Sequence, residues 1–99
     1  METTMNTYLV LHYGFKMPTP AEMELWNQWF ASLGEHMVGM NGLSDGREIT
    51  SAGTKELPFG EDSLTGYTLI TAASLGDAEK IVQKCPIVAS NRVYEIRPH

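Results

Sequence analysis

Thr7-Tyr8-Leu9-Val10-Leu11-His12-Tyr13, closed by Gly14, is the stretch that decides the architecture. It is rich in β-formers and bounded by a turn residue, so it reads as a strand. Side-chain alternation sends Tyr8, Val10 and His12 to one face and Leu9, Leu11 and Tyr13 to the other. Both sets are largely apolar, which predicts an internal strand with something packed on each side.

Working outward, Thr19-Pro20-Ala21-Glu22 supplies a helix start. Thr19 can cap, Pro20 fits the first helical position and Glu22 can complete a capping box. Met23, Trp26, Phe30, Leu33 and Met37 then recur at helical spacing, Trp29 widens the stripe, and Gly34 is a natural stop. In the middle, His36–Met40 and Arg47–Ala52 are candidate short strands, with Asn41-Gly42 or Asp45-Gly46 turning the chain. From 53 to 66, Gly, Pro and charged residues predict a long central loop anchored by Leu57 and Phe59.

Gly66–Ala72 reads as a strand, and Ser74 caps a second helix whose stripe Leu75, Ala78, Ile81 and Val82 reaches Cys85 before Pro86 ends it. Arg92–Arg97 is the closing strand. Two helices can cover one face of the resulting sheet, so the other face calls for a cover. A homodimer placing sheet against sheet about a two-fold axis supplies one, and a long loop or the C-terminus folding over the sheet is the alternative.

At 99 residues the chain fits a single domain, 1–99. Its formal charge of -5 disfavours nonspecific attraction to nucleic acid or to an anionic membrane surface. Cys85 is the one cysteine, so no internal disulfide is expected. The Met1–His12 segment has Glu2 and no basic residue before Tyr8-Leu9-Val10-Leu11, so it lacks the positively charged start and the long apolar run of a secretory signal, and no window approaches a membrane span; the expected location is cytoplasmic. The histidines have no zinc-motif spacing, Asp45-Gly46 lacks a calcium-loop pattern and the glycines form no phosphate loop. No metal or cofactor is expected.

The order Tyr8–Gly14, an acidic and aromatic first helix, Pro58-Phe59, Gly66-Tyr67-Thr68-Leu69-Ile70, Ala73-Ser74-Leu75 to Cys85-Pro86, and Val93–Pro98 resembles the YCII-related proteins, in particular the DGPF-domain branch. The resemblance implies an α+β, ferredoxin-like βαββαβ subunit that dimerises into an α/β barrel. At the position of the Asp-Gly-Pro-Phe motif this chain has Glu56-Leu57-Pro58-Phe59. Related YCII proteins carry a His–Asp pair near the first helix and the loop after it. Here the helix presents Trp26 and Trp29, and Asp45 lies in a following loop.

Among individual residues, His12 is the titratable candidate, because it interrupts an apolar strand and a neutral imidazole can exchange a proton near neutrality. Its candidate carboxylate partners are Glu24 and Glu56; a hydrogen-bonded structural histidine is the competing reading. Trp26, Trp29 and Phe59 can line an apolar ligand cavity into which Tyr67 and Tyr94 direct hydroxyls, or they can simply pack. Arg92, Arg97 and His99 can form an anion patch or a solvated strand end. Three functions follow: a dimeric small-molecule-binding or accessory protein, a small enzyme using histidine–carboxylate acid/base chemistry, or a structural protein-interaction module.

Overall fold

The computed structural model describes residues 5–14, 19–86 and 89–97. His99, and the end of the proposed Val93–Pro98 strand, lie outside the described residues. The chain runs β1 (Asn6–Tyr13), α1 (Pro20–Leu33), a short 3-10 turn at Gly34–His36, β2 (Met37–Gly42), β3 (Gly46–Thr50), β4 (Gly53–Leu57), β5 (Leu64–Ala72), α2 (Leu75–Gln83) and β6 (Ser90–Glu95).

The helix boundaries have local causes. Thr19 accepts from the Glu22 amide while the Glu22 side chain returns to the Thr19 backbone, a complete capping box with Pro20 in the first turn. Gly34 ends α1 at φ 52°, a conformation costly for other residues. Ser74 caps α2 by accepting from the Asp77 amide.

β2, β5, β1 and β6 form one antiparallel sheet in that order, and β3 and β4 form a separate two-stranded sheet. Tyr8, Val10, Ile70 and Ala72 share the inner face and pack with Trp29 and Leu33 of α1, Ala78 and Val82 of α2, and Cys85. Trp29 Nε1 donates to the Ile81 carbonyl at 3.1 Å, tying the two helices together. On the outer face the register sets Tyr94, Leu9 and Leu69 in one cross-strand row and Arg92, Leu11 and Tyr67 in the next. These leucines are half-buried, with no helix over them in the core cluster.

Two expectations are corrected. The ferredoxin-like βαββαβ subunit closing into a dimeric α/β barrel is overturned, because the molecule is a small α+β domain with two helices and two antiparallel sheets, and neither sheet closes. β2 and β6 are free edges of the larger sheet, whereas a barrel requires continuous strand pairing around its circumference. The long loop expected over 53–66 is instead β4, a turn at 58–63 and the start of β5. Gly53, at φ 139°, lets the chain reverse after Ser51-Ala52, so 53–57 pairs back onto 46–50 from Thr50↔Gly53 to Gly46↔Leu57.

This hairpin shapes the molecule. Every residue of β3 and β4 is exposed, Ile49 by 78 %. The radius of gyration is 15.2 Å, against about 13 Å for a compact chain of this length. The protein is flat, 50 × 40 × 18 Å.

Candidate functional site

The buried polar centre is built around His12. β1 places it on the inner face, β6 sets Asn91 directly opposite, and β5 brings Thr68 alongside. His12 Nδ1 lies 2.8 Å from Asn91 Oδ1 and Nε2 lies 2.9 Å from Thr68 Oγ1. Asn91 turns Nδ2 toward Cys85 Sγ at 3.5 Å, leaving its oxygen for the ring. An amide oxygen only accepts, so Nδ1 carries the proton and donates; neutral Nε2 then accepts from the Thr68 hydroxyl. Trp26 and Trp29 meet the imidazole edge-on, with ring centroids 5.4 and 5.9 Å away.

Burial pushes the His12 pKa below its usual value, while the Asn91 hydrogen bond opposes the shift. Hydrogen bonding adds a reason of its own: a second ring proton would have to donate to Thr68 Oγ1, forcing the buried hydroxyl to find another acceptor. Burial likewise pushes the Cys85 thiol up to about 12, opposed by Asn91, so Cys85 is not a thiolate near neutrality.

A hydroxyl, an imidazole and an amide in sequence have the order of a nucleophile relay. Thr68 is 0 % exposed and His12 9 %, so no reacting carbonyl can reach the hydroxyl without opening the core. As it stands the chain Thr68–His12–Asn91–Cys85 is a closed polar network inside the protein.

The carboxylates named beside His12 do not join it. Glu24 is exposed on α1 and accepts from Gln28 at 3.4 Å; Glu56 is on the β3–β4 hairpin, 4.0 Å from Arg47. The five aromatic candidates separate into three places. Trp29, 4 % exposed, belongs to the core, with Trp26 packed against it. Tyr67 and Tyr94 lie on the outer sheet face, where Tyr67 accepts from Asn41 Nδ2 at 2.9 Å. Phe59, 44 % exposed, lines an open groove of about 780 Å³ beside Tyr13, Leu57 and Leu64.

Asn91 and Thr68, the actual partners of His12, were not anticipated. Their link to it is cross-strand register across 56 and 79 residues of chain. The usable signal is alternation within Gly66–Ala72, which sends Thr68 to the same face as Ile70. Arg92 stacks over Tyr13, 4.9 Å from the ring centroid, and so has a role other than an anion patch.

Among the described residues, no group of three or more His, Cys, Asp or Glu is arranged to hold a metal ion, and no helix is long and apolar enough to cross a membrane. No protein-family model and no curated protein matches the chain.

Proposed function

We propose that this chain is a cytoplasmic protein-interaction module whose outer sheet face is the contact surface, with a second copy of the chain as its partner. The observation that carries this reading is the double row Tyr94-Leu9-Leu69 and Arg92-Leu11-Tyr67 on the face opposite both helices. Aromatic residues and Arg around an aliphatic centre are the side chains enriched in the core of protein interfaces. Kinship with the YCII-related proteins is retained within this proposal and rests on residue order alone.

Sedimentation equilibrium at micromolar concentration is the test. The expected mass is twice 11.0 kDa, and Leu69→Glu, which puts a charge at the centre of the face, is expected to return it to the monomer with unchanged far-UV circular dichroism. A wild-type mass that stays monomeric overturns the proposal.

A further inference from the structure

We infer that the Thr68–His12–Asn91–Cys85 chain is an acid-released lock on the edge strand β6: the imidazole can take a second proton only when 90–95 lifts from β1, so acid favours a locally open form in which the rest of the sheet stays paired. This goes beyond the interaction reading and stands whatever the outer face binds. β6 is at one side of the larger sheet and pairs with β1 alone. Its inner side is tied down at both ends, by Asn91 to His12 at 2.8 Å and by Glu95, which accepts from the Tyr8 hydroxyl at 3.2 Å, with Val93 packed against the core between them. Ser90, Arg92, Tyr94 and Glu95 are exposed, so little burial opposes its opening. Such elements open at lower free energy than the strands at the centre of a sheet.

The hydrogen bonds leave no room for a second ring proton. The Thr68 hydroxyl donates to Nε2, Nδ1 donates to Asn91 Oδ1, Asn91 Nδ2 donates to Cys85 Sγ, and Cys85 Sγ donates to the Pro86 carbonyl at 3.1 Å. The direction is fixed at the far end, because a carbonyl only accepts. A proton added at Nε2 would make Thr68 Oγ1 the acceptor and leave the hydroxyl hydrogen without a target, since Oγ1 has no other partner among the described residues. Thr68 is fully buried, so water cannot replace that target while the core is closed.

The surroundings supply no compensating charge. α1 presents Trp26 and Trp29 to the ring, β5 presents Thr68 and β6 presents Asn91. On α1, Glu22 belongs to the capping box and Glu24 is exposed; on α2 and at its end, Asp77, Glu79, Lys80 and Lys84 are exposed. Cys85, reached through Asn91, is a neutral thiol, and Glu95 is engaged with Tyr8. An imidazolium in the closed form has neither water nor a counter-ion, in keeping with the downward pull of burial on this histidine. Lifting β6 takes Asn91 off the ring and admits water, where an imidazole has its ordinary pKa of about 6.5. The open form therefore takes up the proton first on acidification. The lock is complete above about pH 6.5 and is lost as pH falls toward the depressed closed-state value.

The test is amide hydrogen exchange of the full chain from about pH 7.5 to about pH 5, corrected for the intrinsic pH dependence of exchange and repeated in urea well below the unfolding midpoint. Protection at 90–95 is expected to fall below about pH 6.5, by up to about ten-fold per pH unit, the limit for one proton taken up on opening. It should respond little to urea, because a local opening exposes little surface, whereas protection at 68–72 should be higher and fall steeply with urea. In His12→Gln the pH slope at 90–95 should vanish. Asn91→Asp sets a carboxylate opposite Nδ1, so the closed form accommodates the imidazolium and the slope should vanish with the histidine still in place; this variant decides the matter if His12→Gln does not fold. Glu95→Gln should keep the slope. The inference is overturned if wild-type protection at 90–95 is flat with pH or follows urea as steeply as that at 68–72. It is equally overturned if the slope survives in Asn91→Asp or in folded His12→Gln, or disappears in Glu95→Gln.

Discussion

The inner layer of the protein and its β3–β4 hairpin are built from the same kind of backbone ladder and differ in what covers them. In the inner layer, Tyr8, Val10, Thr68 and Ile70 are fully buried, and no buried side-chain nitrogen or oxygen among the described residues lacks a hydrogen-bond partner. In the hairpin all residues of both strands face solvent, and the ion pair Arg47–Glu56 is exposed on both sides. The comparison separates two sources of order. Inside, apolar burial supplies the stability and polar groups are tolerated because each is matched. Outside, the ladder alone is present, and an isolated two-stranded hairpin is marginal in water.

The comparison predicts its largest effect at Trp29. Truncation to Ala removes a nearly fully buried indole from between α1 and α2 and takes away one of the two donors to the Ile81 carbonyl, which keeps only the Lys84 amide at 3.3 Å. A loss of about 4 kcal/mol is expected, the size seen for large-to-small changes at buried aromatics. Urea denaturation measures it; a loss below about 1 kcal/mol would mean that the α1–α2 contact is not the seat of stability.

The next effect belongs to the polar network within that layer. Thr68→Val keeps the shape of the side chain and strands His12 Nε2, which is expected to cost about 1–3 kcal/mol. His12→Gln should cost a similar amount, and the double variant less than the sum, because the two side chains share one hydrogen bond. Additivity in that cycle would show that the 2.9 Å contact is not energetically coupled.

Acidity tests the same network from another side. His12 has a folded-state pKa below its usual value, so on acidification the unfolded chain takes up this proton first. Its contribution to stability is complete above about pH 6.5 and is lost as pH falls from there toward the depressed folded pKa. Denaturation midpoints followed from about pH 7.5 to about pH 5 should fall more steeply for the wild type than for His12→Gln. Parallel curves would remove His12 as the source of the slope.

How much of this was readable in the residues follows the same division. Where a segment is buried on one side, its periodicity reports its position: Tyr8-Val10-His12 against Leu9-Leu11-Tyr13 marked both faces of β1, and Thr19-Pro20 with Gly34 marked both ends of α1. Where a segment pairs only with another exposed strand and buries neither face, periodicity has nothing to report, and Gly53–Leu57 read as loop although it is a strand. The partners of His12 were illegible for a third reason. Composition offered Glu24 and Glu56 as partners for His12, but the choice of Asn91 and Thr68 is made by register between strands far apart in sequence.

A smaller effect is expected at the entrance to α1, where Thr19 is exposed and its cap is worth only one amide partner. Thr19→Ala should cost about 1 kcal/mol. A value indistinguishable from zero would assign the start of α1 to Pro20 and to the packing of Trp29 instead.

The smallest effect is expected at the most exposed of the large apolar side chains. Ile49→Ser is expected to change the stability of the monomeric Leu69→Glu background by less than about 0.5 kcal/mol, since a side chain already in water has little burial to lose. Amide exchange on the same sample sharpens the point. β1 and β5 amides should be protected to near the global unfolding limit, while those of Arg47–Thr50 and Thr54–Leu57 should exchange through local opening far faster. Wild type at dimer-forming concentration provides the discriminating arm. If the second copy contacts only the outer sheet face, hairpin exchange is unchanged on dimerisation, whereas slowed exchange there would extend the interface along β3 and β4. A substantial loss of monomer stability on Ile49→Ser would break the comparison, because it would place the hairpin against the body of the protein rather than away from it.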